Sequence, residues 1–303
     1  FATQFNYVSS LWVDPFNSQR LVAGSVYLTA SSDGGLTFHQ ISSLDDPNTF
    51  HADVHAIVSG PNFTSSNPKG IRNREVLIAT DGGIYRSSDI DTAVPSNYSS
   101  WSRRNTGLEI TQFYSLAAKQ GYIFGGTQDN GTIGTYNGGA WYSINGGDGI
   151  DTAILSSPFA LIFGSQYGYM ARSLDGITAQ LTCNTSPPDF CGQGRFYTPF
   201  AAGRASHLVV AGAYDSVWFN SSATNPGWTR IEPSAAFFAN PVTALVTIGT
   251  NDSEVIYANA YGNFGIRKCS ISPNGPCSTL STQLNVSGGV TALERETDQI
   301  LYA

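Results

Sequence analysis

Charge is scarce in this chain. Only 12% of its 303 residues are Asp, Glu, Lys or Arg, against about 25% in an ordinary soluble domain. The 15 Lys and Arg are outnumbered by 22 Asp and Glu, a net charge of -7. They are scattered along the chain, and a scattered minority of cations cannot neutralise a phosphate backbone, which argues against a nucleic-acid partner. Long apolar runs are also missing. None approaches the roughly 20 residues that a membrane helix requires, so no membrane insertion is expected. No leader-like segment is recognisable, and a mature form is expected. No amphipathic helical period stands out, and methionine occurs once. The Gly-rich pairs Gly125-Gly126 and Gly146-Gly147 are not phosphate loops, because no helix follows them.

What fills the chain is Gly, Ser, Thr and Asn between short β-rich runs, a pattern of strands and tight turns. The first unit reads as Tyr7 to Val13, Arg20 to Gly24, Val26 to Ser31 and Leu36 to Ile41. Five further units follow, beginning near Val54, Gln112, Thr152, Phe196 and Val242. A seventh starts with Val290 to Glu294 and Gln299 to Ala303 and has two strands within this chain. Four-stranded units in series predict an all-β fold, a single seven-bladed β-propeller over residues 1–303 with four-stranded antiparallel blades and an incomplete last one. Phe1 to Phe5 are expected to supply one of the missing strands. The other would come from residues beyond this chain or from a second molecule, since an unfinished sheet invites strand addition.

Ser31-Ser32-Asp33-Gly34-Gly35-Leu36-Thr37-Phe38 fits Ser-x-Asp-x-Gly-x-Thr-aromatic, the Asp-box. The chemistry is that of a hairpin cap: the Asp bonds amides of its own turn, Gly takes positive φ, and the aromatic anchors the returning strand. Weaker copies stand at Ser87-Ser88-Asp89 and at Ser173-Leu174-Asp175-Gly176-Ile177-Thr178. The chain thus resembles the Asp-box propeller superfamily, and within it the sortilin-type and xyloglucanase-type propellers. The likeness extends to Leu11-Trp12-Val13-Asp14-Pro15, to residues 51–56 and 79–87, to Gln112-Phe113-Tyr114, to residues 126–132 and to Gly146-Gly147-Asp148-Gly149. The superfamily holds glycosidases, sialidases, sorting receptors and binders without activity, so the resemblance implies a fold more sharply than a function. The xyloglucanase type resembles two tandem propellers with one catalytic Asp on each, and this chain has room for one propeller. The three-arginine clamp of sialidase-like relatives is not recognisable among the arginines.

The cysteines form two pairs of equal spacing, Cys183 with Cys191 and Cys269 with Cys277, each separated by a turn-forming segment. Two local disulfides are expected; four free thiols are the alternative, and metal ligation lacks the CxxC spacing. Asn62, Asn97, Asn130, Asn184, Asn220, Asn251 and Asn285 open Asn-x-Ser/Thr sequons. With the disulfides they predict a secreted, N-glycosylated, extracellular protein.

His51, Asp53 and His55 are two residues apart, so on a strand they would share a face and could hold a divalent metal or serve acid–base chemistry. Polar contacts near the propeller axis are the plainer use of these residues. Asp129 and Asp148 open polar turns in neighbouring units. With Asp53, Asp81 and Asp151 they could crowd one face, as catalytic carboxylates, as Ca2+ ligands or simply as caps of their own turns. No cofactor is expected beyond such a cation. Trp12, Trp101, Trp141, Trp218 and Trp228 are read as blade anchors rather than a sugar platform. The expected function is an interaction or structural module, joined to copies of itself in an extracellular filament or coat or to another extracellular protein. A polysaccharide-active hydrolase and a sortilin-like peptide receptor are the alternatives.

Overall fold

The computed structural model describes residues 9–43, 50–66, 69–94, 100–108, 110–156, 159–182, 190–203, 208–214, 216–222, 227–231, 241–259, 266–272, 277–281, 293–295 and 301–302. The chain forms two compact units, Phe1–Ile110 and Thr111–Ala303. Among the described residues both are all-β apart from short 3-10 turns, Ile90–Thr92 in the first unit and Gln166–Gly168 and Thr250–Asp252 in the second.

Unit 1 contains two four-stranded antiparallel meanders. The first sheet runs Ser10–Asp14, Asn17–Gly24, Leu28–Ser31 and His39–Gln40; the second runs Val54–Ser59, Val76–Thr80, Gly83–Ser87 and Ser102–Arg103. Unit 2 contains four more. The third sheet is Phe113–Lys119, Tyr122–Thr127, Gly131–Tyr136 and Tyr142–Asn145; the fourth is Gly149–Ser156, Phe159–Ser165, Tyr169–Ser173 and Gln180–Leu181. The fifth is Phe200–Ala202, Val209–Gly212, Val217–Asn220 and Thr229–Ile231; the sixth is Val242–Ile248, Glu254–Asn259, Ile266–Ser270 and Cys277–Ser281. A two-stranded ladder of Glu294–Arg295 and Leu301–Tyr302 follows. Spatial order equals chain order in every four-stranded sheet. Most expected strands are present within a few residues; the fourth sheet ends on the short strand Gln180–Leu181, and residues 183–189 of the expected cysteine hairpin lie outside the described residues. The segment expected to close the ring, residues 1–5, and most of the expected seventh blade lie outside the described residues.

The period-two pattern is clearest in Val76–Thr80, where Val76, Ile78 and Thr80 are buried and the residues between them are half-buried. Unit 1 closes its core with Trp12, Val22, Leu28, Phe50, Ile78, Tyr85 and Trp101. The Phe50 ring lies 5.5 Å from Tyr85 and 5.3 Å from Trp101. Each buried indole N–H has a partner from the other sheet's segment: Trp12 donates to Ser59 Oγ and Trp101 to the Ile41 carbonyl. Unit 2 buries separate clusters, one of which packs Phe190 and Trp228 beside Met170 and Cys191.

Within each unit, sheets are joined by their first strands, and the same device recurs. A glycine at or near the end of a second strand lies against the start of the next sheet's first strand: Gly24 against Val54, Gly126 against Ile150, Gly164 against Phe200 and Gly212 against Val242. A Cβ on Gly212 would stand 2.5 Å from Val242 Cγ1, so a larger residue holds the sheets apart. First strands also carry bulges near their starts, which push out His55, Tyr114, the Ile150–Asp151 pair and Thr243. A bulge bends the strand and re-aims one side chain. Here it decides which polar or aromatic residue each sheet presents at that point.

Candidate functional site

In an antiparallel meander, the start of strand one and the turn between strands two and three lie at the same end of the sheet. The turn between strands three and four lies at the other end. The candidate residues therefore separate into two groups by connectivity alone.

The second group holds the Ser-x-Asp turns. In the first sheet, Ser31 Oγ donates to Asp33 Oδ1 over 2.7 Å, and Asp33 accepts the Thr37 N–H at 2.9 Å and the Thr37 hydroxyl at 2.5 Å. Gly34 and Gly35 take φ of 72° and 92°. The fourth sheet repeats this: Asp175 accepts Ser173 Oγ and the N–H groups of Ile177 and Thr178 at 2.7–2.8 Å, and Gly176 has φ 78°. These donors hold both carboxylates well below the usual range. Asp89 does something different. Its side chain accepts the Asp91 N–H, capping the 3-10 turn Ile90–Thr92, and it pairs with Arg72. Thr92 stands at the same spacing as Thr178, but its hydroxyl donates to the Asp89 carbonyl at 3.2 Å rather than to the carboxylate, and Ile90 replaces the glycine after the Asp, so the hairpin cap is not rebuilt.

At the opposite end of the second sheet, the expected alternation of His51, Asp53 and His55 fails. The strand begins at Val54, Asp53 has φ 63°, and His55 is the bulged residue. His55 Nε2 contacts Asp81 Oδ1 at 2.5 Å. His51 lies over Gly82, where a Cβ would overlap its imidazole, and its Nδ1 sits 3.2 Å from the Ala52 carbonyl. Among the described residues, no three His, Cys, Asp or Glu ligand atoms converge inside either unit. The reason is the left-handed residue and the bulge, which together break the two-residue period.

In unit 2, Asp129 and Asp148 do come together, as turn fasteners. The Asp129 N–H donates to Asp148 Oδ1 at 3.0 Å. Asp148 exchanges two bonds with the Gln166 amide, N–H to Oε1 at 3.2 Å and Oδ2 from Nε2 at 3.3 Å. Asp148 thus ties the third and fourth sheets at this end. Three residues on, Asp151 accepts Ser115 Oγ at 2.6 Å, its neighbour's Thr152 N–H at 3.0 Å and the Phe200 N–H. Burial raises the Asp151 carboxyl above the ordinary range, against the pull of these three donors.

The same end of unit 2 carries a row of aromatic rings that sequence reasoning missed. Tyr167, Phe196, Tyr197 and Tyr214 are 51%, 42%, 40% and 52% exposed, whereas Trp12, Trp101 and Trp228 are buried as expected of anchors. Tyr167 stands edge-on to Phe196 at 5.8 Å, and Tyr197 edge-on to Tyr114 at 6.1 Å. The loop carrying Phe196 and Tyr197 is stitched to both neighbouring turns. Tyr167 N–H donates to the Phe196 carbonyl, Gly194 N–H to the Tyr167 carbonyl and Tyr214 N–H to the Gln193 carbonyl. Its start is anchored by Phe190, which is fully buried 5.0 Å from Trp228, and by the disulfide-bonded Cys191. Tyr167 holds φ 64°, an uncommon conformation for a tyrosine and one that concentrates at functional loops. The available signal in the sequence was a tyrosine inside a Gly-flanked turn, Gln166-Tyr167-Gly168, where an anchor has nothing to pack on. Trp141 is also exposed, at 49%, and lies 5.9 Å from Phe113 on the third sheet.

The remaining expectations are distributed as follows. Cys191 and Cys269 are each in a disulfide, and Cys269 is in register opposite Cys277. Cys183 lies outside the described residues, as do Asn97, Asn184 and Asn285. Asn62 and Asn251 are exposed, and Asn130 is half-buried in the turn after Asp129. Asn220 is only 4% exposed and its Oδ1 accepts the Ser222 N–H, so a glycan does not fit there in the folded chain.

No family model matches this chain, and no curated protein matches it. Solved β-propeller structures do resemble it. An ancestral GH74 enzyme aligns over 89% of this chain and 44% of its own length, at 16% identity and a TM-score of 0.52. This chain therefore spans less than half of that enzyme. YCF48 from Cyanidioschyzon merolae aligns over 96% and 91% of the two chains, at 11% identity and a TM-score of 0.46. The extracellular domain of a hybrid two-component system from B. thetaiotaomicron aligns over 97% and 36%, at 12% identity and a TM-score of 0.46. The fold is of the β-propeller class. No helix among the described residues is long and apolar enough to cross a membrane.

Proposed function

We propose that this protein is an extracellular propeller of the Asp-box type that binds a neutral glycan chain without cleaving it. The observation that carries this reading is the exposed row Tyr167, Phe196, Tyr197 and Tyr214, beside the amide of Gln166 and the carboxylate of Asp148. Aromatic faces stack on the apolar faces of sugar rings, and neighbouring amides and carboxylates bond their hydroxyls. The sparse charge of the chain suits a neutral ligand better than an ionic one. Disulfides at Cys191 and Cys269 and exposed sequons at Asn62 and Asn251 support an oxidising, extracellular setting. Six four-stranded sheets and a further ladder are read as seven blades.

Affinity electrophoresis against a panel of soluble β-glucans, xyloglucan and mannans tests the binding. Retardation should be lost in Tyr167→Ala and Tyr214→Ala with thermal stability retained. Absence of retardation on every glycan, or retardation indifferent to both changes, overturns the reading. The likeness to a GH74 enzyme favours hydrolysis as the second reading. Release of reducing ends, abolished by Asp148→Ala or Asp53→Ala, would put catalysis in place of binding. Self-assembly through strand addition rests on the last blade, most of which is outside the described residues. Electron microscopy of native material tests it, filaments or sheets with a propeller-sized repeat being the supporting outcome. Retention of peptides rather than glycans would favour a receptor-like role.

A further inference from the structure

A pair of rings on unit 1 plays no part in the proposed binding. Phe16 occupies the turn between Ser10–Asp14 and Asn17–Gly24; its N–H donates to Asp14 Oδ1 at 2.8 Å, and the residue is 56% exposed. Such a turn position ordinarily carries a polar residue. The Phe16 ring stacks on Phe63, with centroids 6.2 Å apart and planes 20° from parallel. Phe63 is itself held in place, edge-on to Trp12 at 5.5 Å and with the Arg74 guanidinium 4.4 Å from its centre. The stack thus runs from the buried Trp12 through the half-buried Phe63 to the exposed Phe16. It is a preformed aromatic platform. The residue before Phe63 is Asn62, which opens the sequon Asn62-Phe63-Thr64. Phe63 N–H donates to the Gly60 carbonyl at 3.0 Å, so Gly60-Pro61-Asn62-Phe63 is a β-turn with Pro61 at its second position and the exposed Asn62 at its third. Thr64, which completes the sequon, is fixed by two backbone bonds to Asn73. Other sequons are less open. Asn220 is buried, and the Asn130 amide nitrogen donates to the Gln128 carbonyl at 3.1 Å.

We propose that Asn62 carries an N-linked glycan whose first sugar packs on the Phe16 ring. The site rests on the extracellular part of the reading above, because the transfer takes a lipid-pyrophosphate-linked oligosaccharide as its co-substrate. In that transfer Asn62 Nδ2 forms a bond to C1 of the reducing-end N-acetylglucosamine. The bond from C1 to the pyrophosphate oxygen breaks, the lipid pyrophosphate leaves, and one amide proton is released. No electrons are exchanged with an oxidant or reductant. The attached sugar presents a face of ring C–H groups, which an aromatic ring accepts. Its tether is one residue from Phe63, so the sugar meets the platform without the entropic cost of bringing in a free ligand. A contact too weak to capture a free sugar can therefore hold this one. The packed sugar would cover the exposed phenyl ring and link the first turn of the first sheet to the segment that follows Val54–Ser59 in the second, so it should stabilise unit 1.

The test uses the full chain secreted from a eukaryotic host, with mass spectrometry of the Asn62 peptide and a double-variant cycle of Asn62→Gln and Phe16→Ala. Asn62 should be occupied. Asn62→Gln should lower the thermal midpoint by about 2–4 °C in the wild-type background and by clearly less in Phe16→Ala, where the platform is gone. The same cycle in unglycosylated chain from a bacterial periplasm should show no coupling, since no sugar is there to pack. Phe16→Leu, which keeps an apolar side chain and removes the ring face, serves if Phe16→Ala does not fold. An unoccupied Asn62 overturns the proposal. So does an equal loss in both backgrounds, or a coupling that persists without the glycan. In native material, an unmodified Asn62 beside intact disulfides at Cys191 and Cys269 overturns the site alone. An unmodified Asn62 beside free thiols overturns the extracellular reading as well.

Discussion

The two units join their sheets by opposite means. Unit 1 uses compensated charge. Arg74 is 5% exposed and is paired with the almost fully buried Asp14 from the first sheet, while its Nε reaches Asp91 at 2.9 Å. Arg20 and Arg72 add further contacts to Asp91, and Arg72 a bidentate grip on Asp89. The Arg74 guanidinium also lies 4.4 Å from the centre of the Phe63 ring. Burial pushes the Asp91 carboxyl up, but the Arg74 bond and the charges around it win, and the net shift is downward. Unit 2 uses a carboxyl without a cation, Asp151, and there burial wins. Identical chemistry thus acquires opposite pH behaviour from its neighbours alone. A multi-sheet fold can be fastened either by an ion pair whose desolvation is offset or by a carboxyl held by hydroxyl and amide donors.

The largest effect should come from removing one side of the buried pair. Arg74→Ala leaves Asp14 buried and unpaired, which costs about 3–5 kcal/mol and should appear as a large drop in the urea midpoint. Replacing both partners, Asp14→Leu with Arg74→Met, should recover much of that loss, because an apolar join needs no compensation. If the double variant is no better than Arg74→Ala, the join depends on more than this pair.

Next come the glycines that let first strands approach. A Cβ on Gly126 would meet backbone, the Ile150 carbonyl and Gly149, whereas one on Gly24 meets the side chains of Ser10 and Val54. Side chains can move aside and backbone cannot, so Gly126→Ala should cost more than Gly24→Ala, within the ~1–3 kcal/mol or more of overpacking. Equal losses in chemical denaturation would mean that the two joins yield alike.

Acid sharpens the contrast further. The folded pKa of Asp91 is below its unfolded value, so its contribution is present above about pH 4 and is lost as pH falls further. Hydrogen exchange on acidification should therefore speed up across Val76–Thr80 before Gly149–Ser156. Simultaneous loss of protection would remove the distinction between the units. The smallest effect is the one the units share. Asp33→Ala and Asp175→Ala each break an exposed turn built from the same bonds, and both should lower the thermal midpoint slightly and to the same degree.

Much of this was legible because it is local. The turns at Asp33 and Asp175 form from atoms within a few residues, and the strands show as short apolar, β-rich runs such as Val76-Leu77-Ile78-Ala79 between turn residues. The weaker turn at Asp89 misled because its Asp is taken by Arg72 and by a 3-10 cap. The trio His51, Asp53 and His55 misled because strand parity was assumed through a left-handed residue and a bulge. The Arg74–Asp14 pair spans 60 residues and leaves no local trace. The aromatic row was hidden by the ordinary preference of rings for the core.

Composition, turn chemistry and period-two patterning by themselves determined an all-β chain of four-stranded meanders with sparse charge and paired cysteines, since each depends on residues near one another in the chain. Which carboxyl is pushed up and which is pulled down, which rings face solvent and which asparagine is too buried for a glycan were decided only by the tertiary structure. Burial and electrostatic environment are set by neighbours that folding brings from other sheets, and a sequence read along its own length does not contain them.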